Sequence, residues 1–299
     1  MEWWIIFAFA SAVFVAVRDV LAKKIFINHN TSPRQLVFEH YLLLIIICLV
    51  FLVPFVSFSS LFSLWHLYLF KAMGAGGAAI TYFKLLEKYE ISMVSPLINL
   101  SPLILIFLSS LFLSEGITSL QVVGIVVLLI ATYALEITEH HKNVKLPHEH
   151  HVISLKSKEM KFFIYVLVML FLFSFGALAD KMLFQAGINV STNLFFTAVI
   201  IFVVVVSWYL YDRRLFEAFR HVVNEPETLV IASMAVISDI FILLAIAIPS
   251  SLVGLIIPLR RTSTFFSSFF GGMLFHEKHL ARKLTSVAFM IVGILFIVW

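Results

Sequence analysis

Two adjacent arginines stand inside an apolar run near the end of the chain. Arg260 and Arg261 follow Pro258 within the run 251–274, which is long enough for a membrane helix. A charge at the centre of such a helix costs about 2.5–3.5 kcal/mol, so it normally faces a cavity or a partner. Guanidinium groups bind carboxylate and phosphate through forked hydrogen bonds. The pair therefore predicts contact with an anionic substrate or, alternatively, an internal ion pair with Asp239.

Other polar residues in apolar runs extend this candidate site. Lys71 lies close to a group of glycines that permit close helix packing, and we expect it to line the same cavity. Asn99 could hydrogen-bond either to substrate or to another helix. Asp239 could carry a proton, bind a cation or neutralise an arginine. Asp19 and Asp180 occupy corresponding positions beside basic residues, so local ion pairing and gating are both open for them.

Histidines cluster in the one clearly polar stretch, between residues 137 and 161. They include His148, His150 and His151. Neutral imidazoles bind zinc, copper or nickel, yet no cysteine accompanies these histidines and no regular ligand spacing occurs. A solvated loop is the alternative. We expect neither a resident metal nor any other cofactor.

The composition of the chain predicts that membrane helices position these residues. Of the 299 residues, 62% are apolar and 13% are charged, whereas soluble domains have roughly 45–50% and about 25%. Such a chain belongs in lipid, where a helix of about 20 apolar residues spans the core. We therefore predict an all-α membrane protein with ten transmembrane helices. The predicted spans are 3–22, 36–56, 61–82, 92–113, 119–137, 160–184, 191–211, 228–248, 251–274 and 284–299.

The two halves of the chain resemble each other. A shift of 162 residues places Pro96 on Pro258 and Glu115 on Glu277. Each copy contains a proline, a helix rich in small residues, a glutamate at a turn and then an apolar helix. The predicted units are a five-helix repeat at 1–137, a polar linker at 138–160 and a second five-helix repeat at 161–299.

Basic residues are distributed oppositely in the equivalent loops of the two halves. Residues 116–121 contain no Lys or Arg, whereas their counterparts 278–283 contain three, and Lys84 and Lys88 correspond to the uncharged turn at 249–250. Because each repeat has an odd number of spans, the second repeat is predicted to enter the membrane in the opposite orientation to the first. The positive-inside rule then places the linker in the cytoplasm and both termini outside the cell membrane. Inverted repeats are typical of transporters, although an old duplication in a structural protein is the alternative.

The segments from each proline to each glutamate resemble the EamA family of the drug/metabolite transporter superfamily. The motifs that carry the resemblance are Ser95-Pro96, Phe112-Leu113-Ser114-Glu115 and Gln121-Val122-Val123-Gly124 in the first half, and Ile257-Pro258 and Gly271-Gly272-Met273-Leu274-Phe275-His276-Glu277 in the second. The second copy departs from the pattern at Ser286, which stands opposite Gly124. The resemblance implies ten helices around a central cavity, alternating access and no ATP hydrolysis.

The segment around Arg260 and Arg261 is also similar to the basic pair of triose-phosphate and nucleotide-sugar translocators, which implies an anionic substrate group. We therefore expect a secondary transporter, not an enzyme, for an organic anion or zwitterion such as an amino acid, a carboxylate or a phosphorylated metabolite. Two alternatives stay open. One is proton-coupled export of hydrophobic or cationic compounds through Asp239, and the other is an intramembrane metal-dependent enzyme. The expected partners are the bilayer and the substrate but no nucleic acid, with the chain a monomer or homodimer.

Overall fold

The chain is helical throughout the residues that its computed structural model describes, which are 3–28, 31–113, 118–140, 152–248, 251, 253–260, 262–277 and 280–298; no strand occurs among them. The α-helices, in chain order, are α1 (Trp3–Asn28), α2 (Pro33–Ile47), α3 (Ser59–Lys88), α4 (Ile91–Leu97), α5 (Ser101–Leu113), α6 (Ser119–His140), α7 (Val152–Gln185), α8 (Val190–Tyr211), α9 (Leu215–Asn224), α10 (Pro226–Ala247), α11 (Val253–Arg260), α12 (Ser263–Leu274) and α13 (Leu280–Val298). A π-helical turn (Cys48–Leu52) and a 3-10 turn (Val53–Phe55) extend α2.

Within the described ranges, six helical segments are long and apolar enough to cross a membrane. They are Trp3–Ile27, Pro33–Phe55, Ile91–Phe112, Met160–Gln185, Val190–Tyr211 and Pro226–Ala247. The protein is therefore an all-helical, multi-pass membrane protein. Each of the ten runs predicted from the sequence is helical in its described residues, and the number of ten membrane crossings stays a prediction.

Two helix starts carry a capping side chain. The hydroxyl of Ser32 accepts a hydrogen bond from the Gln35 backbone N–H at 3.2 Å, and Pro33 opens α2. The side chain of Asn189 accepts one from the Thr192 N–H at 2.8 Å at the start of α8. Such caps satisfy backbone donors that have no partner inside the helix.

Two of the predicted spans are each broken into two helices. The run 92–113 divides at a 3-10 turn, Ile98–Leu100, because Pro102 has no N–H to continue the α-helical hydrogen bonding. The run 251–274 divides after Arg260, two residues beyond Pro258. Under the 162-residue shift, Thr262, which lies between α11 and α12, falls on Leu100 at the end of the 3-10 turn, so the two breaks occupy the same place in the two halves.

The helices pack in pairs that join the first half of the chain to the second. Helix α1 packs against α10, α3 against α7, α2 against α8, α4 against α12 and α6 against α13. The α3–α7 contact is close: a Cβ atom on Gly74 would lie 2.8 Å from the backbone nitrogen of Gly176. Gly293 brings α13 similarly close to the backbone of α6 at Gly124. Glycine allows such an approach because it has no side chain to separate the backbones.

Two helical features lie outside the predicted spans. Helix α6 continues to His140 and α7 begins at Val152, so helix extends into both ends of the predicted linker 138–160. The short helix α9 lies between α8 and α10, and it is amphipathic. Its Ala218 is buried, whereas its Phe216 is exposed on the surface of the protein.

Candidate functional site

A cavity of about 140 Å³ lies between the two halves of the chain. Its walls come from α1, α2, α3, α7, α8, α10 and α11, and they are largely apolar. Six ionisable side chains interrupt the apolar lining: Arg18, His40, Lys71, Asp180, Asp239 and Arg260. The first half supplies the first three of these, all basic, and the second half supplies both carboxylates and one arginine.

Lys71 and Asp180 form a buried ion pair at one wall of the cavity. The Lys71 ammonium lies 2.5 Å from an Asp180 carboxylate oxygen and donates a hydrogen bond to the Asn193 side-chain carbonyl at 2.8 Å. The Asn193 amide in turn donates to Asp180 at 2.8 Å. The three side chains therefore form a closed ring that joins α3, α7 and α8. Such a ring offsets the cost of burying two charges away from water.

Arg18 lines a second part of the cavity and pairs with its chain neighbour. Its guanidinium lies 2.7 Å from an Asp19 carboxylate oxygen, and the Tyr82 hydroxyl donates to the other oxygen at 2.6 Å. The Arg18 guanidinium also lies 5.7 Å and 5.5 Å from the ring centres of Tyr82 and Phe83, within cation–π range. Asp19 itself is not among the lining residues. The local ion pair that the sequence left open for Asp19 is present.

The third polar group of the cavity surrounds Asp239. One carboxylate oxygen lies 3.1 Å from His40 Nε2, and the other lies 3.5 Å from a terminal nitrogen of Arg260. Neither contact is an aligned hydrogen bond. His40 Nε2 has no hydrogen-bond partner in the described structure. Arg260 instead donates to the Ser238 hydroxyl at 3.1 Å, which itself lies 2.9 Å from the Ser11 hydroxyl. Asp239 therefore neutralises Arg260 without saturating its donors.

The structure places the other predicted site residues outside the cavity wall or outside the described residues. Asn99 is fully buried, and its amide donates to the Thr264 hydroxyl at 3.0 Å, so it joins two helices. A hydroxyl pair, Ser95 with Ser267 at 2.6 Å, lies in the same interface. Arg261, His148, His150 and His151 lie outside the described residues. Among the residues that are described, no group of three His, Cys, Asp or Glu side chains could hold a metal ion.

Of the two alternatives left open for Asp180, an ion pair with its chain neighbour is not formed. Asp180 does not pair with its neighbour Lys181, which donates to the Ser251 carbonyl at 2.8 Å. Adjacent residues on a helix point about 100° apart, so Asp180 faces Lys71 on α3 while Lys181 faces the segment before α11.

Several cavity residues were not predicted from the sequence. Among them are His40 and Thr197, which line the cavity from α2 and α8. The repeat could have identified both, because each stands eight residues after the capping residue of its helix, Ser32 or Asn189. Tyr82, Asn193 and Ser238 contact the charged residues of the site but gave no pattern in the sequence.

A polar network joins the two halves where α3 meets α4 and α12 meets α13. The Glu277 carboxylate accepts hydrogen bonds from the Ile91 and Ser92 backbone N–H groups at 2.9 and 3.3 Å, and from the Ser92 hydroxyl. Lys283 pairs with Glu90 and donates to Ser92 at 2.9 Å. Glu277 thus stabilises the start of a helix, and that helix is α4 in the other half of the chain.

A second network joins the halves near α9. The fully buried Glu39 accepts a hydrogen bond from Gln35 at 2.7 Å and lies 3.0 Å from His221 Nδ1. Gln35 also accepts from the Tyr209 hydroxyl at 2.9 Å, and Arg34 lies 2.5 Å from Asp212. These contacts and the Glu277 network lie at the helix ends that the positive-inside rule assigns to one side of the membrane.

Comparison with known proteins gives a family match for the first half of the chain. Residues 2–136 match the EamA-like transporter family. The match confirms the resemblance that the motifs of the first half carry, and that family is one of membrane transporters. The EamA-like part contains α1 to α5 and most of α6, and it supplies Arg18, His40 and Lys71 to the cavity.

The fold of the whole chain also has relatives of known structure. One crystal structure, of a protein whose function is not stated, is similar over 96% of this chain and 96% of its own, with a TM-score of 0.57 and 14% sequence identity. At that identity the likeness shows the fold alone. It extends past the EamA-like half to the rest of the chain. No curated protein matches the sequence significantly.

Proposed function

We propose that the protein is a secondary transporter that moves a small organic anion or zwitterion by alternating access. The observation that carries the proposal is a cavity between the two halves whose charges pair across them: Lys71 with Asp180, and His40 with Asp239. An amino acid, a carboxylate or a phosphorylated metabolite has the required size and charge. Buried ionisable groups in membrane helices mark substrate pathways by default.

The pairing of helices supports the proposed pair of inverted five-helix repeats. If each helix of the first half is exchanged for its counterpart in the second, the contact of α1 with α10 becomes the contact of α7 with α3. The pairs α2–α8 and α6–α13 map onto themselves, and the contact of α4 with α12 becomes the contact of α11 with α5. A pseudo-two-fold axis through the cavity has this effect, and alternating access then follows from rocking one repeat against the other. The proposed repeats are 1–137 and 161–299, with 138–160 as linker.

The partners of the cavity charges favour an anionic group over a cationic one. Both lining carboxylates already face basic side chains, so a cation would have to share a carboxylate with a basic neighbour. Arg260 keeps guanidinium donors beyond its single hydrogen bond to Ser238. We propose Arg260 as the first substrate contact and Arg261 as a second, with Lys71 on the opposite wall. Asn99 would reach the substrate only in a state where its bond to Thr264 opens.

We further propose that Asp239 acts as an internal anion that the substrate replaces. Its carboxylate lies 3.5 Å from Arg260 and 3.1 Å from His40. A proton on Asp239 would remove this competitor and strengthen the attraction of Arg260 for the substrate. Substrate binding and proton uptake would then be linked, as thermodynamic reciprocity requires.

The polar networks at Glu277 and Glu39 favour a conformation that is closed on their side of the membrane. The positive-inside rule assigns that side to the cytoplasm, which would leave the termini outside and the linker inside a cell membrane. Opening this side would break both networks together. The proposed partners are the bilayer and one small molecule, and we expect no nucleic acid and a monomer or homodimer.

The test is a flux assay with purified protein in proteoliposomes. Anionic, zwitterionic and cationic metabolites are offered separately, and we expect uptake in the first two classes only. Arg260→Gln should lower uptake by roughly 10- to 100-fold, because a hydrogen bond to a charged group contributes about 1.5–3 kcal/mol. The matched control is Arg214→Gln, whose side chain is 65% exposed in the turn after α8. Uptake of cations alone, or equal loss in both variants, would contradict the proposal.

A further inference from the structure

A groove of about 400 Å³ opens on the surface of the protein, where the end of α3 meets the start of the apolar part of α7. Three lysines line it, Lys84 and Lys88 from α3 and Lys161 from α7, together with Tyr89, Tyr165 and Leu85. Lys84 and Lys88 stand four residues apart and therefore share one face of their helix. The groove shares no lining residue with the central cavity.

Among the residues that the structure describes, the three lysines have no counter-ion. In the described part of the chain, none of them has a hydrogen bond or an ion pair, and no carboxylate lines the groove. Glu87, on the same turn of α3, is exposed and is not among the lining residues, and Glu90 pairs with Lys283. Three like charges around one space repel each other, and an anion in that space would relieve the repulsion.

The groove lies at the boundary of the membrane. Lys161 is the second residue of the membrane-spanning segment Met160–Gln185, and α3 ends at Lys88. Next to Lys161 the surface is apolar, with Phe163 and Ile164 more than half exposed. Tyr165 is 44% exposed, as tyrosines at the level of lipid headgroups commonly are.

The floor of the groove is held in place by packing and hydrogen bonds. The rings of Tyr89 and Phe162 lie 4.5 Å apart and join the end of α3 to α7. The buried Lys23 donates hydrogen bonds to the Leu86 and Tyr89 carbonyls at 2.8 and 2.7 Å. These contacts fix the backbone that carries the lysines, so the groove is a formed site with a basic rim.

We infer that this groove binds the phosphate headgroup of an anionic phospholipid. The lysines would contact the phosphate, and the acyl chains would lie along the apolar surface of α7 beside Phe163 and Ile164. Basic pockets between membrane helices bind such headgroups, and each Lys near the surface of an anionic membrane contributes roughly a fivefold gain in binding. The inference does not depend on the proposed transport function.

Diffuse attraction between a basic protein face and an anionic leaflet is the competing explanation. The chain offers a matched control for it, because Arg213, Arg214 and Arg220 are exposed and are assigned by the positive-inside rule to the same side of the membrane, but do not line the groove. A groove site requires the three lysines in particular, whereas diffuse attraction requires only three positive charges on that side.

The experiment measures lipid retained by the full chain. Wild-type protein, the triple variant Lys84→Gln/Lys88→Gln/Lys161→Gln and the triple variant Arg213→Gln/Arg214→Gln/Arg220→Gln are placed in mixed phosphatidylglycerol–phosphatidylcholine membranes and extracted gently. Native mass spectrometry then counts the bound lipids. We expect the wild type and the arginine variant to retain phosphatidylglycerol over phosphatidylcholine, and the lysine variant to lose this preference by more than about tenfold.

Three results would overturn the inference. An equal loss in both triple variants would show diffuse attraction, and retention unchanged in the lysine variant would show that the groove is not involved. Displacement of the lipid by inorganic phosphate, but not by chloride of equal ionic strength, would show a site for free anions instead. Thermal unfolding in phosphatidylcholine alone, expected to be unchanged in both variants, separates lipid loss from misfolding.

Discussion

The basic side chains of the central cavity and those of the outer groove differ in what lies opposite them. In the cavity, Lys71 lies 2.5 Å from Asp180, and Arg260 faces Asp239. In the groove, Lys84, Lys88 and Lys161 line a space without an acidic residue. An anion entering the cavity has to compete with a carboxylate, whereas one entering the groove displaces only water. The first arrangement suits a ligand that must leave again, and the second suits one that stays.

The largest loss of stability is expected from removing a cation that has a buried counter-ion. Lys71→Met should lower the free energy of unfolding by about 3–5 kcal/mol, because it leaves the buried Asp180 without its counter-ion. Thermal unfolding of the detergent-solubilised protein measures this loss. Lys71→Met with Asp180→Asn should recover most of it. If Lys71→Met alone were as stable as Lys161→Met, the cavity lysine and the groove lysine would not differ in their dependence on a counter-ion.

A tyrosine in each region gives the next test. Tyr82→Phe removes the hydroxyl that donates to Asp19 at 2.6 Å, so we expect a loss of about 1.5–3 kcal/mol, as for other hydrogen bonds to charged groups. Tyr165→Phe in the groove removes an exposed hydroxyl and should change stability by less than about 0.5 kcal/mol. Chemical or thermal unfolding of the two variants side by side measures the difference. Equal losses in the two variants would show that the hydrogen bond from Tyr82 to Asp19 adds nothing to the free energy of unfolding.

Removing the internal competitor should strengthen binding in the cavity. Asp239→Asn frees Arg260, and the affinity for the transported anion at neutral pH should rise by roughly tenfold, which corresponds to about 1.4 kcal/mol. Any stimulation of wild-type binding by acid should disappear in the variant. Binding measured by thermal shift across a pH series tests both statements. Weaker binding by the variant would instead make Asp239 a substrate contact.

The smallest effect concerns the fold around the groove. Each single change of Lys84, Lys88 or Lys161 to Gln should alter the free energy of unfolding by less than about 0.5 kcal/mol in zwitterionic lipid, since these side chains have no partner to lose in the described structure. Anionic lipid should raise the apparent stability of the wild type and leave that of the triple variant unchanged. Measurement of melting temperature in the two lipids checks this.

Sequence reasoning predicts helices and charged positions well, because both depend on local chemistry. The ten apolar runs indicate the main helices, and the positions of Arg260 and Lys71 inside such runs identify them as candidates. Asp239 was also expected near an arginine. These inferences need only the periodicity of a helix and the cost of a buried charge.

Partners that come from distant parts of the chain could not be predicted in the same way. Lys71 meets Asp180 because Gly74 and Gly176 bring α3 against α7, and nothing near either residue indicates that contact. His40 is a single histidine in an apolar helix, a pattern shared with ordinary core residues. The contact of Asn99 with Thr264 shows that correspondence within a repeat does not ensure that a residue lines the cavity.

The contacts between small hydroxyl side chains also affect how easily the halves can move. Ser11 meets Ser238 and Ser95 meets Ser267, and in each pair either oxygen can be the donor. A hydroxyl changes from donor to acceptor by rotating about its own C–O bond. Two helices joined in this way can therefore shift against each other and re-form an equivalent bond with a neighbouring oxygen, which lowers the barrier to sliding along the surface where the two halves of the chain meet.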